Sequence, residues 1–304
     1  MTRHAVTGAF GFSGRHIAGR LLARGDEVVT LTNHPDRPDP FGGALDVRPL
    51  DFGDPAGLAR ALDGVDTLFN TYWVRFPHDG VTHATAVRNS RTLFDAAHEA
   101  GVRRIVHVSI ANPDPASHFA YYRGKALVEQ ALVASGVGHA ILRPTLLFGD
   151  EPILANTIAW LLRHVPLFGI PGDGRYGLQP IAVEDLAALA LSAAAVDGDV
   201  TWDAAGPEIL SFTELATAIR DATGSRARIV HLPAPLALAS AAVLGRAVGD
   251  VILTREELEA LTAGMLVSRE QPRGTTRFTD WLDANGPWLG RRYLNEVERH
   301  FAPA

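Results

Sequence analysis

The feature that most constrains the fold is the run at residues 6–15, V-T-G-A-F-G-F-S-G-R. It predicts the end of a strand, a glycine turn and a helix that continues to about Leu22. Gly8 suits the tight turn, Gly11 a close backbone approach to a ligand, and Gly14 the packing of the helix on the sheet. The spacing is G-x-x-G-x-x-G. Because such a turn presents unpaired N–H groups and the positive end of a helix dipole, it predicts binding of a diphosphate.

Strand and helix patterns alternate through the first half of the chain. The predicted strands are His4–Val6, Glu27–Thr32, Val47–Asp51, Asp66–Asn70, Arg104–Ser109 and His139–Leu142. Between them the sequence predicts helices at Asp54–Leu62, Val87–Ala100 and Tyr122–Ala134. Repeated units of this length indicate an α/β fold: a Rossmann-type, doubly wound parallel sheet covered by helices on both faces.

After Pro144 the pattern loosens into capped, mostly helical segments. We expect a dinucleotide-binding Rossmann domain over 1–150 and a smaller C-terminal, substrate-side region over 151–304, with 178–200 returning to the Rossmann sheet. Pro166–Gly177 is interpreted as a Gly/Pro-rich loop, and the apolar stretch Leu232–Gly245 as a buried or groove-lining helix.

Composition excludes several classes of function. The formal net charge is −6 and the sequence has no strongly basic run, which argues against a nucleic-acid partner. Cysteine is absent, and the histidines show no metal-ligand spacing; His78 and His83 are interpreted as solvated loop residues. With no leader and no apolar stretch long enough for a bilayer, we expect a soluble, cytoplasmic monomer or homodimer with no membrane partner and a small-molecule substrate.

The second informative site is Y-Y-R-G-K at residues 121–125. Tyr121 and Lys125 are four positions apart on a predicted helix, so both side chains lie on one face. A neighbouring ammonium favours the phenolate of a tyrosine and lowers its pKa. Such a tyrosine can exchange a proton with a carbonyl or hydroxyl oxygen while a hydride moves to or from nicotinamide.

In combination, five segments resemble the short-chain dehydrogenase/reductase superfamily, in its extended and atypical branches. The segments are the glycine turn at 7–14, Asp51-Phe52, Tyr121 with Lys125, L-R-P-T-L-L-F-G at 142–149, and I-A-V-E-D-L-A at 181–187. The resemblance covers residues 1 to about 195. It implies a NAD(P)-dependent enzyme similar to the epimerases and dehydratases of that superfamily, or a relative of the NmrA-like regulators.

The resemblance also implies residue roles. The diphosphate would lie against the glycine turn, Asp51 and Phe52 would face the adenine, and Lys125 would hold the nicotinamide ribose. The implied cofactor-binding residues are Gly8, Phe10, Gly11, Phe12, Ser13, Gly14, Asn33, His34, Arg37, Asp51, Phe52, Asn70, Thr71, Lys125, Pro144, Thr145 and Leu147. Asn33 stands where an acidic residue would select NAD, and His34, Arg37 and Arg15 are positive or titratable neighbours. The sequence therefore favours NADP over NAD, and no metal is expected.

The catalytic hydroxyl of the family is where this chain departs from the pattern. The extended branch usually carries it where this chain has Ile110 and Ala111, so Ser109 is either the catalytic hydroxyl or a strand-end residue. Asn112 or His118 could replace it as a hydrogen-bond donor. Two hypotheses follow: an oxidoreductase or epimerase-like enzyme acting on a small, fairly apolar carbonyl or alcohol through Tyr121, Lys125 and Ser109, or a catalytically silent NAD(P)-binding sensor or assembly protein. The aromatic loop at 72–76 is either core or the wall of an apolar pocket.

Overall fold

The computed structural model describes residues 2–77, 80–150 and 152–295. The first ten elements in chain order are β1 (Arg3–Thr7), α1 (Phe12–Ala23), β2 (Glu27–Thr32), β3 (Asp46–Pro49), α2 (Pro55–Ala61), β4 (Thr67–Asn70), α3 (His83–Glu99), β5 (Arg104–Val108), α4 (Ala120–Ala134) and β6 (Gly138–Pro144). The others are β7 (Leu146–Phe148), α5 (Ile153–His164), β8 (Leu167–Pro171), β9 (Gly177–Leu178), β10 (Pro180–Ala182), α6 (Val183–Ala195), β11 (Val200–Ala204), β12 (Leu210–Ser211), α7 (Phe212–Thr223), β13 (Arg228–Leu232), α8 (Ala234–Val248), α9 (Arg255–Thr262) and α10 (Phe278–Asn285).

The chain forms two compact units. Among the described residues, the first comprises those within 2–144 and 183–204, and the second comprises those within 145–182 and 205–295. The sequence analysis expected a domain boundary at 150 and a return to the sheet over 178–200, whereas the compact units change at 144, 183 and 204.

A seven-stranded parallel sheet forms the centre of the first unit, in the order β11-β6-β5-β4-β1-β2-β3. The order reverses direction at β1, so β1 and β4 are the neighbours at the switch point where ligands of such sheets bind. The predicted α/β, Rossmann-type fold is confirmed. The sequence did not predict the last strand, Val200–Ala204, which pairs with β6 and completes the sheet at that edge.

Helices cover the sheet of the first unit in two groups. Helix α3 packs between α2 and α4, and α1 packs on α6. Side chains of the α2–α4 group bury a continuous core with the strands, for example Leu58, Phe94 and Leu132 with Ile105. Burial of this apolar surface is what holds the helices to the sheet and fixes the strand ends that carry the candidate site.

The second unit corrects two expectations. Within the predicted loop Pro166–Gly177, residues 167–171 form strand β8, which pairs in parallel with β13. Phe168 and Ile170 alternate into the core, and the partner strand lies some sixty residues later, so local sequence did not reveal it. Helix α8 buries only Ala237, Ala241 and Gly245, while Leu236 and Val243 are 56% and 64% exposed, so its interpretation as a buried helix is wrong and the groove-lining alternative stays a prediction.

Two absences hold for the parts of the chain that the structure describes. None of their helices has both the length and the hydropathy that a membrane span requires. They also contain no cluster of three or more histidine or acidic side chains that could hold a metal ion.

Candidate active site

The glycine turn after β1 is held by its own backbone. Gly8 has a φ of +64°, a conformation that glycine adopts without strain. The Gly8 N–H donates to the Leu31 carbonyl at 2.9 Å, and the Gly11 N–H donates to the Gly8 carbonyl at 2.8 Å. A Cβ on Gly14 would overlap the Gly8 carbonyl oxygen, so helix α1 reaches this turn only because residue 14 has no side chain.

Helix α1 begins at this turn without a side-chain cap. Gly11 is the N-cap residue, in extended conformation, and it makes no side-chain cap hydrogen bond. Half-buried Phe10, Phe12 and Ser13 surround the same end of the helix. Uncapped N–H groups and the helix dipole together suit an anion such as a diphosphate.

The loop after β2 holds the residues expected near the adenosine ribose. Asn33 is exposed, and the His34 N–H donates to Thr32 Oγ1 at 3.0 Å. The Arg37 N–H donates to the His34 carbonyl at 3.3 Å, which closes the loop. Partial burial, followed by the positive charge of Arg37, lowers the pKa of His34, so this loop presents a neutral imidazole near a guanidinium at pH 7.

Asp51 and Phe52 lie just beyond β3, which ends two residues earlier than predicted. The exposed Asp51 accepts from the Gly53 N–H through Oδ1 at 2.8 Å. Phe52 packs on Tyr72 with ring centroids 4.8 Å apart. An exposed carboxylate next to a partly buried ring has the chemistry to meet an adenine amino group and face.

A buried polar network joins β1, β4 and β5 at their carboxyl ends. Thr7 Oγ1 donates to Asn70 Oδ1 at 3.2 Å and accepts from the Thr71 N–H at 2.7 Å. Asn70 Nδ2 donates to His107 Nδ1 at 3.0 Å, and Thr71 Oγ1 donates to the Thr7 carbonyl at 2.6 Å. The Asn70 side chain is fully buried, so it fixes the strand ends from inside, whereas the half-buried Thr71 lies against Gly8.

Tyr121 and Lys125 lie on helix α4 and share one neighbour, Trp73. The Tyr121 ring meets the Trp73 ring edge-on at 5.7 Å, and Lys125 Nζ lies 4.7 Å from the Trp73 ring centroid. The ammonium also donates to the Val108 carbonyl, at the end of β5, at 2.9 Å. The sequence expectation that both side chains face the same space agrees with this shared contact.

Burial dominates the titration of Lys125, whose side chain is 3% exposed. Desolvation lowers its pKa from 10.5 to about 7, against an opposing influence of Glu129. Glu129 is itself paired with Arg143 of β6 through two hydrogen bonds of 3.1 and 2.6 Å. The site therefore holds a lysine that exchanges its proton near neutral pH.

The region of the catalytic hydroxyl follows β5. The Ser109 N–H donates to the Leu142 carbonyl at 2.7 Å, while its buried Oγ has no hydrogen-bond partner among the described residues. Asn112, with a φ of +55°, is the only non-glycine residue of residues 2–77, 80–150 and 152–295 in the left-handed region. His118 is exposed and packs on Phe119.

The last three implied cofactor residues fall in both units. Pro144 ends β6, and its carbonyl accepts from the Ala111 N–H at 2.8 Å. Thr145 Oγ1 donates to the Gln179 carbonyl, and Leu147 pairs with Ile181 between β7 and β10, all in the second unit.

The interpretation of His83 as a solvated loop residue is wrong. It is the first residue of α3, buried, with its ring stacked on Trp73 at 5.7 Å and 7°. Helix α3 starts four residues before the predicted Val87 because the Thr82 hydroxyl accepts from the Thr85 N–H and caps it. His78 lies outside the described residues.

Sequence comparison supports the assignment that this geometry suggests. Residues 8–197 match a family model described as NAD(P)H-binding, which is more than half of the chain. The chain belongs to this NAD(P)H-binding family. The predicted resemblance to the short-chain dehydrogenase/reductase superfamily, in its extended and atypical branch, is confirmed.

Two curated relatives of this NAD(P)H-binding chain differ in kind. One is the NADH dehydrogenase (ubiquinone) 1 alpha subcomplex subunit 9, mitochondrial, of Arabidopsis thaliana, 28% identical over 86% of this chain and 70% of the relative. Another is the (4-alkanoyl-5-oxo-2,5-dihydrofuran-3-yl)methyl phosphate reductase of Streptomyces griseus, 31% identical over 75% of this chain and 76% of the relative. A solved nucleoside-diphosphate-sugar epimerase from Staphylococcus aureus shares the fold, with a TM-score of 0.71, 19% identity and coverage of 93% of this chain and 100% of that one.

Proposed function

We propose that this NAD(P)H-binding protein is an oxidoreductase that acts on a small, fairly apolar carbonyl or alcohol, with Tyr121 as the general acid and base. The observation that carries the proposal is the contact of both Tyr121 and Lys125 with one Trp73 ring, in the unit that also contains the glycine turn. When bound, NAD(P)H supplies a hydride. The Tyr121 hydroxyl gives its proton to the substrate oxygen in reduction and takes it back in oxidation.

Lys125 has two tasks in this proposal. Its positive charge stabilises the phenolate that Tyr121 becomes after proton donation, and its ammonium is the donor for the nicotinamide ribose hydroxyls. Ser109, whose buried Oγ has no partner among the described residues, is the candidate donor to the substrate oxygen. The reductase from Streptomyces griseus supports reduction as the direction of interest.

For the cofactor we propose a preference for NADP(H). Asn33 carries no charge to repel a 2′-phosphate, and the loop places Arg37 next to a neutral His34. Arg15, near the N-terminus of α1, adds a second guanidinium, whose Nε donates to His16 Nε2 at 3.4 Å. Two guanidinium groups favour a bound phosphate by charge-assisted hydrogen bonds.

The test is turnover of NADPH with a panel of small apolar aldehydes, ketones and quinones. Because general acid catalysis contributes about 10²–10⁴-fold, Tyr121→Phe is expected to lose at least about a hundredfold in kcat while binding NADPH like the wild type. Tyr122→Phe, at the next position of α4, is the matched control and is expected to keep full turnover. Equal turnover of Tyr121→Phe and the wild type would refute the role of Tyr121.

One observation favours a second candidate, an NAD(P)-binding sensor or assembly protein without turnover. Ile110 and Ala111 carry no hydroxyl where the extended branch usually has one. The relative from Arabidopsis thaliana is named as a subunit of NADH dehydrogenase. Binding of NADPH without turnover of any panel member, together with indifference to Tyr121→Phe, would favour this candidate over the enzyme.

A further inference from the structure

Lys125 is the only lysine in the 304-residue sequence; the other 27 of its 28 basic side chains are arginines. This single ammonium is also almost fully buried. A buried ammonium needs partners that replace water, because desolvation of an uncompensated charge is costly. The groups around Lys125 therefore determine whether its ammonium stays charged at neutral pH.

Trp73 reaches Lys125 through a notch in helix α4. Residue 124, between Tyr121 and Lys125 in the sequence, is a glycine. A Cβ at that position would lie 2.8 Å from Trp73 Cη2 and 3.2 Å from Cζ2. Any larger residue at 124 would thus displace the indole ring from the helix.

His83, the first residue of α3, stacks on the same indole ring. Their rings are nearly parallel, 7° apart in orientation, and His83 Nε2 donates to the Arg75 carbonyl at 3.3 Å. Trp73 is therefore held between α3 and α4, with its face near the Lys125 ammonium and its ring in edge contact with Tyr121. A cation over an indole face is attracted by the ring quadrupole, most strongly where water is excluded.

The other groups that face Lys125 come from three elements. Val108 of β5 accepts from Nζ, Glu129 of α4 attracts the ammonium, and Arg143 of β6 neutralises Glu129. His107 of β5 is uncharged, because burial and the charge of Lys125 hold its pKa well below the ordinary value. Glu129 is already paired with Arg143 and does not form an ion pair with Lys125 alone. The Trp73 ring, from the loop after β4, therefore contributes the apolar contact with the ammonium.

We propose that Trp73 is a positioning residue for the Tyr121 and Lys125 pair. Seated in the Gly124 notch, its ring keeps water from the ammonium, holds Nζ against the Val108 carbonyl and sets the orientation of the Tyr121 ring. Its significance for catalysis rests on the proposed function, but its effect on Lys125 does not. That effect can be measured without any substrate or nucleotide.

The experiment uses the full chain grown with lysine isotope-labelled at Cε. Because the sequence has one lysine, the carbon spectrum has one such signal, and its pH titration gives the pKa of Lys125 directly. In Trp73→Leu the attraction of the indole face is lost but water reaches the ammonium. Because desolvation is the largest influence on Lys125, its pKa is expected to rise from about 7 toward 10.5. Trp73→Phe keeps an aromatic face and is expected to retain most of the low value.

Trp288→Leu is the matched control. Trp288 is 69% exposed, and its ring centroid lies 4.5 Å from the Arg291 guanidinium. The Trp288→Leu variant therefore also loses a contact between an indole ring and a cation, but at a position that does not involve Lys125. Its Lys125 titration is expected to equal that of the wild type. Should Trp73→Leu fail to fold, Gly124→Ala is measured in its place, because the added methyl displaces the ring.

The outcomes separate the two proposals. A folded Trp73→Leu or Gly124→Ala protein whose Lys125 titrates like the wild type overturns the role of Trp73, whatever its activity. In the turnover assay, Trp73→Leu is expected to lower kcat about tenfold to a hundredfold, with recovery in Trp73→Phe. Absence of turnover in the wild type counts against the proposed enzyme and leaves the titration result standing.

Discussion

Lys125 shows how one residue balances opposite influences. Burial disfavours its charge, while Glu129 and the Val108 carbonyl favour it, and burial dominates. Because the folded-state pKa is about 7 and the unfolded-state pKa is near 10.5, the unfolded chain binds more protons than the folded one between these pH values. In this window the stability contributed by Lys125 rises with pH, and below about pH 7 its ammonium destabilises the fold in full.

Replacing Lys125 by Met removes this pH dependence. Relative to Lys125→Met, the free energy of unfolding of the wild type is expected to rise between about pH 7 and 10.5, by up to about 1.4 kcal/mol per pH unit. Urea unfolding at several pH values, without nucleotide, measures the difference. A difference that is constant over this window would contradict the burial argument.

Helix α1 contains two glycines, Gly14 and Gly19, whose surroundings differ. Gly14 lies where the helix meets the turn, and a Cβ there would overlap the Gly8 carbonyl. Gly19 lies five residues further along, where a Cβ would make an ordinary contact with Phe41 at 3.7 Å. The first glycine is required by packing, whereas the second only weakens the helix.

The substitutions Gly14→Ala and Gly19→Ala are therefore expected to act in opposite directions. Gly14→Ala should destabilise the fold by about 1–3 kcal/mol and weaken NADPH binding, because the turn must shift. Gly19→Ala should stabilise it by about 0.5–1 kcal/mol and leave binding unchanged. Urea unfolding and NADPH titration of both variants measure this; equal behaviour of the two would contradict the packing argument.

Across the whole molecule, the sequence predicted the elements whose formation depends on neighbouring residues, and missed those that depend on distant ones. The bounds of β2 agree with the prediction, and the parallel sheet followed from the strand–helix alternation. Strand β8 was missed because its stability comes from pairing with β13, far along the chain. The burial of α8 was overestimated because the alanines and glycine that it buries resemble, in sequence, the apolar residues that it exposes.

The candidate site was predictable in its glycines and its Tyr-x-x-x-Lys motif, whose spacing carries the geometry. Its environment was not. Stacking of Trp73 on His83, the Gly124 notch and the Glu129–Arg143 pair join residues from different elements. Such contacts cannot be predicted from propensity or from spacing, because the residues meet only once the sheet and the helices have assembled.

Thermal unfolding with NADPH, NADP, NADH and NAD tests most directly whether the glycine turn binds a dinucleotide. NADPH and NADP are expected to raise the unfolding temperature more than NADH and NAD at the same concentration. A nucleotide present at a hundred times its Kd stabilises the fold by about 2.7 kcal/mol. Gly14→Ala is expected to lose this stabilisation. If none of the four nucleotides raised the unfolding temperature of the wild type, the assignment of the glycine turn as a dinucleotide site would be contradicted.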